Sequence, residues 1–198
     1  MIGQDVFAVD AWTVPERELD VELLAQTESI FALSNGHIGL RGNLDEGEPW
    51  GMPGTYLNGF YETRPLPYAE AAYGDPEAGQ TLIDVTNGKL IRLLVDEPFD
   101  LRYGKLVRHD RALDLRAGVL RRDVEWASPA GHAVRVQSTR MVSFVQRPVA
   151  ATLYEVEPVD APTRVAILDG LDAVKHKHTG DGFDLRDRVD ATDTQAAS

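Results

Sequence analysis

Between residues 34 and 50 the chain reads SNGHIGLRGNLDEGEPW, with glycines at 36, 39, 42 and 47 and another at 51. Asp45, Glu46 and Glu48 follow closely on Arg41. Three chemistries use such residues. A phosphate cradle needs G-x-G-x-x-G between a strand and a helix, or a Gly-Lys-Ser/Thr ending. The spacing here is G-x-x-G-x-x-G, no such lysine is present, and the three acids repel a phosphate. A calcium loop of the helix–loop–helix type needs the D-x-[DN]-x-[DN]-G register, which is missing. A glycoside-cleaving pair needs two carboxyls about 5–9 Å apart across a substrate. Asp45, Glu46, Glu48 and the later Glu62 supply carboxyls, but only a fold can set such a distance. Adjacent acids in a glycine-rich turn are ordinarily solvated surface, and that is the expectation here.

The remaining chemistry is sparser. His176 and His178 stand at i and i+2, which face the same way on a strand. No third ligand accompanies them, and Lys175 and Lys177 oppose a cation, so no metal is expected and a polar tail is the better reading. No G-x-S-x-G nucleophile elbow occurs. Trp50, Tyr56, Phe60, Tyr61, Tyr68 and Tyr73 cluster within 24 residues, counting from 50 to 73. Rings of this kind fill cores, or wall a sugar site or an interface.

The composition narrows the partners. Lys and Arg number 20 against 32 Asp and Glu, for a formal charge of −12. Such a field disfavours nucleic acid and anionic membrane surfaces, and penalises a neutral sugar least. Cysteine is absent, which removes disulfides and thiolate chemistry and fits a reducing cytoplasm. The first residues, MIGQDVFAVDAWTV, carry no signal-peptide pattern, and no apolar window reaches the length of a membrane span.

The elements that must position these groups read as short strands. In 81-TLIDVTNGKLIRLLVD-96 two alternating runs flank Asn87-Gly88, which predicts a hairpin. Asn35-Gly36 and Asn58-Gly59 carry the same turn signal. In 119-VLRRDVEWASPAGHAVRVQSTRMVSFV-145, Leu120, Val124 and Trp126 share a face and Ser128-Pro129-Ala130-Gly131 makes the turn of a second hairpin. Ser138 and Arg140 interrupt the apolar face of its return strand, predicting a bend or a change of partner there. Residues 149–159 and 164–173 read as further strands, and 28–34 and 37–41 as extended. The best helical candidate is 16–29, while 64–79, broken by three prolines, reads as irregular loop. Many short strands between turn signals predict an all-β sandwich or barrel in one domain.

Three stretches together resemble the N-terminal domain of glycoside hydrolase family 65, the maltose, trehalose and kojibiose phosphorylases and their hydrolytic relatives. They are 28-ESIFALSNG-36, 39-GLRGN-43 and 54-GTYLNGFYE-62, supported by 113-LDLRAG-118 with 119-VLRRDVEW-126 behind it. The resemblance runs from about residue 12 to 173 and implies a two-sheet antiparallel β-supersandwich of the galactose-mutarotase-like kind. A helical linker and an (α/α)6 catalytic barrel follow in that family. A barrel glutamate there protonates the departing oxygen while inorganic phosphate attacks with inversion; hydrolytic relatives activate water instead.

No barrel position has a counterpart here, so the resemblance implies no catalytic residue in this chain. It implies a sandwich over residues 1–173 that lacks closing strands at its C-terminal end, while 174–198, polar and ending in small residues, reads as a polar tail or the start of truncated strands or a linker. The expected role is to support the missing barrel, the active-site rim and a homodimer. Arg41, Asn43, Glu46, Trp50, Tyr56, Asn58 and Tyr61 are the rim or interdomain candidates, with Arg41 pairing bidentately with a carboxylate, within the loop itself in one version. No cofactor is expected, only inorganic phosphate as co-substrate if the parent is a phosphorylase and a disaccharide as substrate. Two other readings stand beside this one: a self-sufficient carbohydrate-binding sandwich, and a small glycosidase built on two of the acids above.

Overall fold

The computed structural model describes residues 10–47, 54–66, 73–172, 177–179 and 182–184. Strand β1 (Thr13–Glu16) precedes a 3-10 turn (Val21–Leu23) and a two-turn helix α1 (Leu24–Ile30). Strands β2 (Leu33–Ser34), β3 (Ile38–Leu40), β4 (Thr55–Pro65) and β5 (Ala78–Asp84) follow. Then come β6 (Asn87–Val95), β7 (Glu97–Pro98), β8 (Lys105–Asp114), β9 (Val119–Ala127) and β10 (Ala133–Val142). The last are β11 (Ala150–Pro158), β12 (Val165–Asp172), β13 (Lys177–Thr179) and β14 (Gly182–Asp184). No helix of the described residues is long and apolar enough to cross a membrane.

The fold is the expected antiparallel sandwich. One layer is the five-stranded sheet β1-β8-β9-β10-β11. The other is made of β2-β3-β4-β5 and β12-β6-β7, each packed on the five-stranded sheet through its own apolar cluster. Two apolar clusters join the layers. In the first, Phe31, Leu33, Ile38 and Leu40 meet Leu113, Leu120 and Val142. In the second, Leu93, Val95 and Phe99 meet Val124, Trp126, Val134 and Val136. Period-2 alternation makes this possible, because every second residue of β9 and β10 points inward. Burying each of these side chains contributes about 1.5–3 kcal/mol.

The hairpin over 119–145 forms as expected, β9 pairing with β10 from Ala127↔Ala133 to Val119↔Met141. The hairpin over 81–96 does not form. Both its strands exist, but β5 pairs with β4 and β6 pairs with β12, in different sheets. Asn87 opens β6 opposite Asp172, so its Asn-Gly lies inside a strand. Asn58-Gly59 lies inside β4, where the register to β5 shifts. Only Asn35-Gly36 makes a hairpin turn, with Gly36 at φ 80°. The Asn35 carboxamide accepts from the backbone N–H groups of His37 and Ile38, and donates to Ser143 O at 2.6 Å.

Three further expectations change. Residues 28–30 are helical, because Leu24, Thr27 and Glu28 turn one face into the sandwich. Of the helical candidate 16–29, only its second half is α-helix; Glu16 belongs to β1. Strand β10 does not change partner at Ser138 and Arg140, which stay in unbroken register with Arg122 and Leu120 on β9. In the expected loop 64–79, residues 64–65 and 78–79 extend β4 and β5; residues 67–72 lie outside the described residues.

Candidate functional site: an ionic belt around the glycine-rich segment

Between the two apolar clusters the inward face of the five-stranded sheet changes chemistry. Arg111, Arg122 and Ser138 form one cross-strand row, flanked by Arg140 and His109. All five are buried. Desolvating three guanidinium groups is expensive unless each finds an anion with matching geometry. The anions come from β1 and from the glycine-rich segment.

Glu16 takes Arg111 in a bidentate pair, Nε to Oε2 at 2.8 Å and Nη2 to Oε1 at 3.0 Å. The third Arg111 donor, Nη1, reaches Gly42 O at 2.5 Å. His109 Nε2 lies 2.7 Å from Glu16 Oε2. Burial pushes the Glu16 carboxyl up, but the His109 and Arg111 contacts outweigh it and hold it below the usual carboxylate range. Burial also pushes the His109 imidazole down, against the opposing pull of Glu16. Neutral His109 therefore donates from Nε2, and its buried Nδ1 needs no acceptor.

Asp45 and Glu46 complete the belt. Asp45 Oδ1 accepts from Arg140 Nη2, and Asp45 Oδ2 accepts from Ser138 Oγ at 2.5 Å and lies 3.5 Å from Arg122 Nη1. Glu46 accepts from Arg122 Nη1 at 2.7 and 2.9 Å and from the Tyr154 hydroxyl at 2.5 Å. Burial raises the Asp45 carboxyl, and Arg140, Arg122 and Ser138 together carry it below its ordinary value. The Tyr154 hydroxyl is pushed far up by burial and then by the Glu46 charge, so it stays a donor. Arg111 stacks on Phe31 at 4.3 Å and Arg122 faces Phe99 at 5.7 Å, which ties the belt to both clusters.

These positions correct the expectation of solvated acids. Asp45 and Glu46 are interior groups whose four oxygens are all engaged, and Glu48 lies outside the described residues. Glu62 stands on β4 opposite Thr81. A cleft of about 730 Å³ opens beside the belt between Leu57, Phe60, Ile91, Ala151, Tyr154 and Ile167. No carboxylate is among its described lining residues, and Lys89 Nζ at its wall is bonded to Gly54 O, Thr55 Oγ1 and Asn87 Oδ1. Among the described residues no group of three or more His, Cys, Asp or Glu could hold a metal.

The rim candidates divide. Arg41 reaches out of its segment to α1, where Nη2 donates to Ala25 O at 2.9 Å and Glu28 Oε2 at 3.3 Å. One nitrogen makes both bonds, so the pair with Glu28 is not bidentate, and Glu48 of the loop lies outside the described residues. Asn43 is buried, donating to Leu44 O. Tyr56 is half-buried beside Arg41, with its hydroxyl raised by burial and by Asp84. Asn58 and Tyr61 are exposed and bonded to each other at 2.5 Å. Trp50 lies outside the described residues, as do Tyr68 and His176. Glu16, Glu28, His109, Arg111, Arg122, Ser138, Arg140 and Tyr154 were not singled out as site residues. The available signal was charge at inward strand positions, as in Leu120-x-Arg122-x-Val124, matched by acids elsewhere.

The fold and this interior define a β-sandwich domain whose glycine-rich segment carries two buried acids paired with arginines. The chain belongs to glycosyl hydrolase family 65 as its N-terminal domain, the family model matching residues 14–197. An uncharacterized glycosyl hydrolase of Mycobacterium tuberculosis is 66% identical over 84% of this chain, which covers 21% of that protein. The α,α-trehalose phosphorylase of Thermoanaerobacter brockii is 34% identical over 84% of the chain and 22% of its own length. A solved structure described as a candidate kojibiose phosphorylase from the human microbiome superimposes with a TM-score of 0.72 at 27% identity. That match covers 82% of this chain and 22% of the other. The chain thus spans about a fifth of the length of these relatives.

Proposed function

We propose that this chain is the non-catalytic N-terminal part of a longer enzyme that cleaves an α-linked glucose disaccharide, by inverting phosphorolysis or by hydrolysis. The observation that carries the reading is the commitment of Asp45 and Glu46 to buried arginines, which leaves neither free for glycoside chemistry. The curated relatives include trehalose, kojibiose and maltose phosphorylases, which supports the substrate class. In this reading residues 1–173 form the sandwich, and 174–198, within which β13 pairs with β14, is the polar start of further strands or of a linker toward the catalytic barrel. The segment from Arg41 to Tyr61 borders the active site, the domain helps a dimer form, and the enzyme works in the cytoplasm with inorganic phosphate as co-substrate when it is a phosphorylase.

The test is to assay the longer gene product and the 198-residue chain with trehalose, maltose and kojibiose, with and without phosphate. The expected result is glucose release by the longer protein alone. Phosphate-dependent release by the 198-residue chain overturns the reading. A second reading, a sugar-binding module, draws on the exposed rings of Phe60 and Tyr61 on β4. Saturable calorimetric titration of the short chain with a disaccharide, at millimolar or tighter affinity, favours it; silence favours the scaffold.

A further inference from the structure

We propose that the ionic belt is a positioning device: Asp45 and Glu46, locked by Arg140, Arg122, Ser138 and Tyr154, fix where residues 41–47 and the start of β4 stand. They thereby set how Tyr56, Asn58 and Tyr61 are presented to the rest of the enzyme. This inference rests on the reading of that segment as an active-site rim.

Three observations support it. First, stability alone does not call for the belt. A buried ion cluster does little better than well-packed apolar residues of the same volume, and the same sheet face uses apolar residues on both sides of it. What ionic and hydrogen-bonded contacts add is direction, since each fixes a donor to one oxygen.

Second, the segment is held from four elements and from Gly54. Gly42 N donates to Glu28 O of α1 at 2.7 Å, and Arg41 N donates to Gly54 O, just before β4, at 2.9 Å. Ile91 N of β6 donates to Asp45 O at 2.7 Å. Arg111 of β8 binds Gly42 O, and Arg140 of β10 binds Arg41 O at 3.2 Å. A connecting segment is turned into a fixed part of the sandwich.

Third, the segment is in direct contact with the strand it would position. A Cβ built on Gly54 would lie 2.6 Å from the Tyr56 ring and 2.8 Å from Arg41 Cδ. Arg41 therefore lies close against Gly54 and the Tyr56 ring, and its backbone N–H is bonded to Gly54 O. In this arrangement Asp45, Glu46 and Tyr154 are positioning residues that act through the segment they hold.

The experiment uses the longer gene product and its disaccharide cleavage. Asp45→Leu/Ser138→Ala/Arg140→Met removes the Asp45 pairing as a unit, so that no ion is stranded. Tyr154→Phe removes only the hydroxyl on Glu46, and it carries the test if the triple variant does not fold. The expected result is a roughly tenfold or larger rise in KM for the disaccharide with a smaller change in kcat, as misplacement of a binding group produces. The outer-face control Arg121→Gln leaves both constants unchanged. A purely structural belt lowers the folded fraction and hence apparent kcat, at constant KM; that outcome, or no change in either constant, overturns the inference. If the wild-type longer protein cleaves no α-linked glucose disaccharide, the rim reading fails and this inference with it. If wild type cleaves and the variants keep its KM, only the positioning inference fails.

Discussion

The inward face of the five-stranded sheet carries two kinds of interior on the same strands. Leu113, Leu120 and Val142 at one end, and Val124, Trp126, Val134 and Val136 at the other, hold the layers by area. Arg111, Arg122, Ser138 and Arg140 between them hold one particular segment by geometry. Area is tolerant: an apolar side chain of similar volume serves nearly as well. A buried guanidinium is intolerant, because losing its acceptor leaves a charge with nowhere to go. The difference separates what makes the domain fold from what makes one loop unique.

Breaking the middle should therefore cost more than loosening an end. Asp45→Ala strands Arg140, while Arg122 keeps Glu46, with an expected loss of about 3–5 kcal/mol in urea unfolding. A loss near 1 kcal/mol would show that water enters the belt and that it is not truly interior. Gly42→Ala acts on packing instead. Its Cβ would lie 2.4 Å from Phe31 Cβ and 2.5 Å from Phe31 O, and the expected cost is about 1–3 kcal/mol, read as a lowered Tm. Smallest is Arg135→Ala on the outer face, where the same Arg–Asp chemistry pairs with Asp123 in solvent. Its expected effect lies within about 1 kcal/mol, because exposed pairs are screened.

Acid sharpens the same comparison. The folded-state values of His109, Glu16 and Asp45 all lie below their ordinary 6.5, 4.5 and 3.8. A depressed value means that the folded state favours the deprotonated form. Its contribution is complete above the ordinary value and is lost as pH falls through the folded one. Stability should therefore be level above pH 6.5 and decline below it, most steeply once the carboxylates protonate. Urea midpoints measured from pH 8 to pH 3 check this, and a profile that rises on acidification contradicts the assignment. In Glu16→Gln the acid decline should be smaller, since one of its proton acceptors is gone.

Much of the fold was legible because alternation reports burial directly. The pattern Leu120, Val124, Trp126 against Arg121, Asp123, Glu125 gave β9 its two faces, and Ser128–Gly131 joined it to β10. Partner choice was not legible. The runs around Asn87-Gly88 make good strands, yet a two-residue passage through Val85 and Thr86 carries the chain from one sheet to its neighbour. Nothing local distinguishes that crossing from a hairpin turn. The belt was half-visible: Ser138 and Arg140 stood out as breaks in an apolar face, and Asp45 and Glu46 stood out as clustered acids. Their meeting depends on pairings between residues 93 and 95 positions apart in sequence, which no short window contains.

That separation has a temporal consequence. Strands β8 to β10 close through short turns, whereas Asp45 and Glu46 have no charged partner among the described residues until Arg122 and Arg140 have been made. At about 5–20 residues per second, the 93 positions from Asp45 to Ser138 take roughly 5–20 s to translate. Long-range closures of this kind are also intrinsically slow. The part of the chain that carries the family's signature emerges early and is fastened late, so its assembly is timed by the arrival of β10.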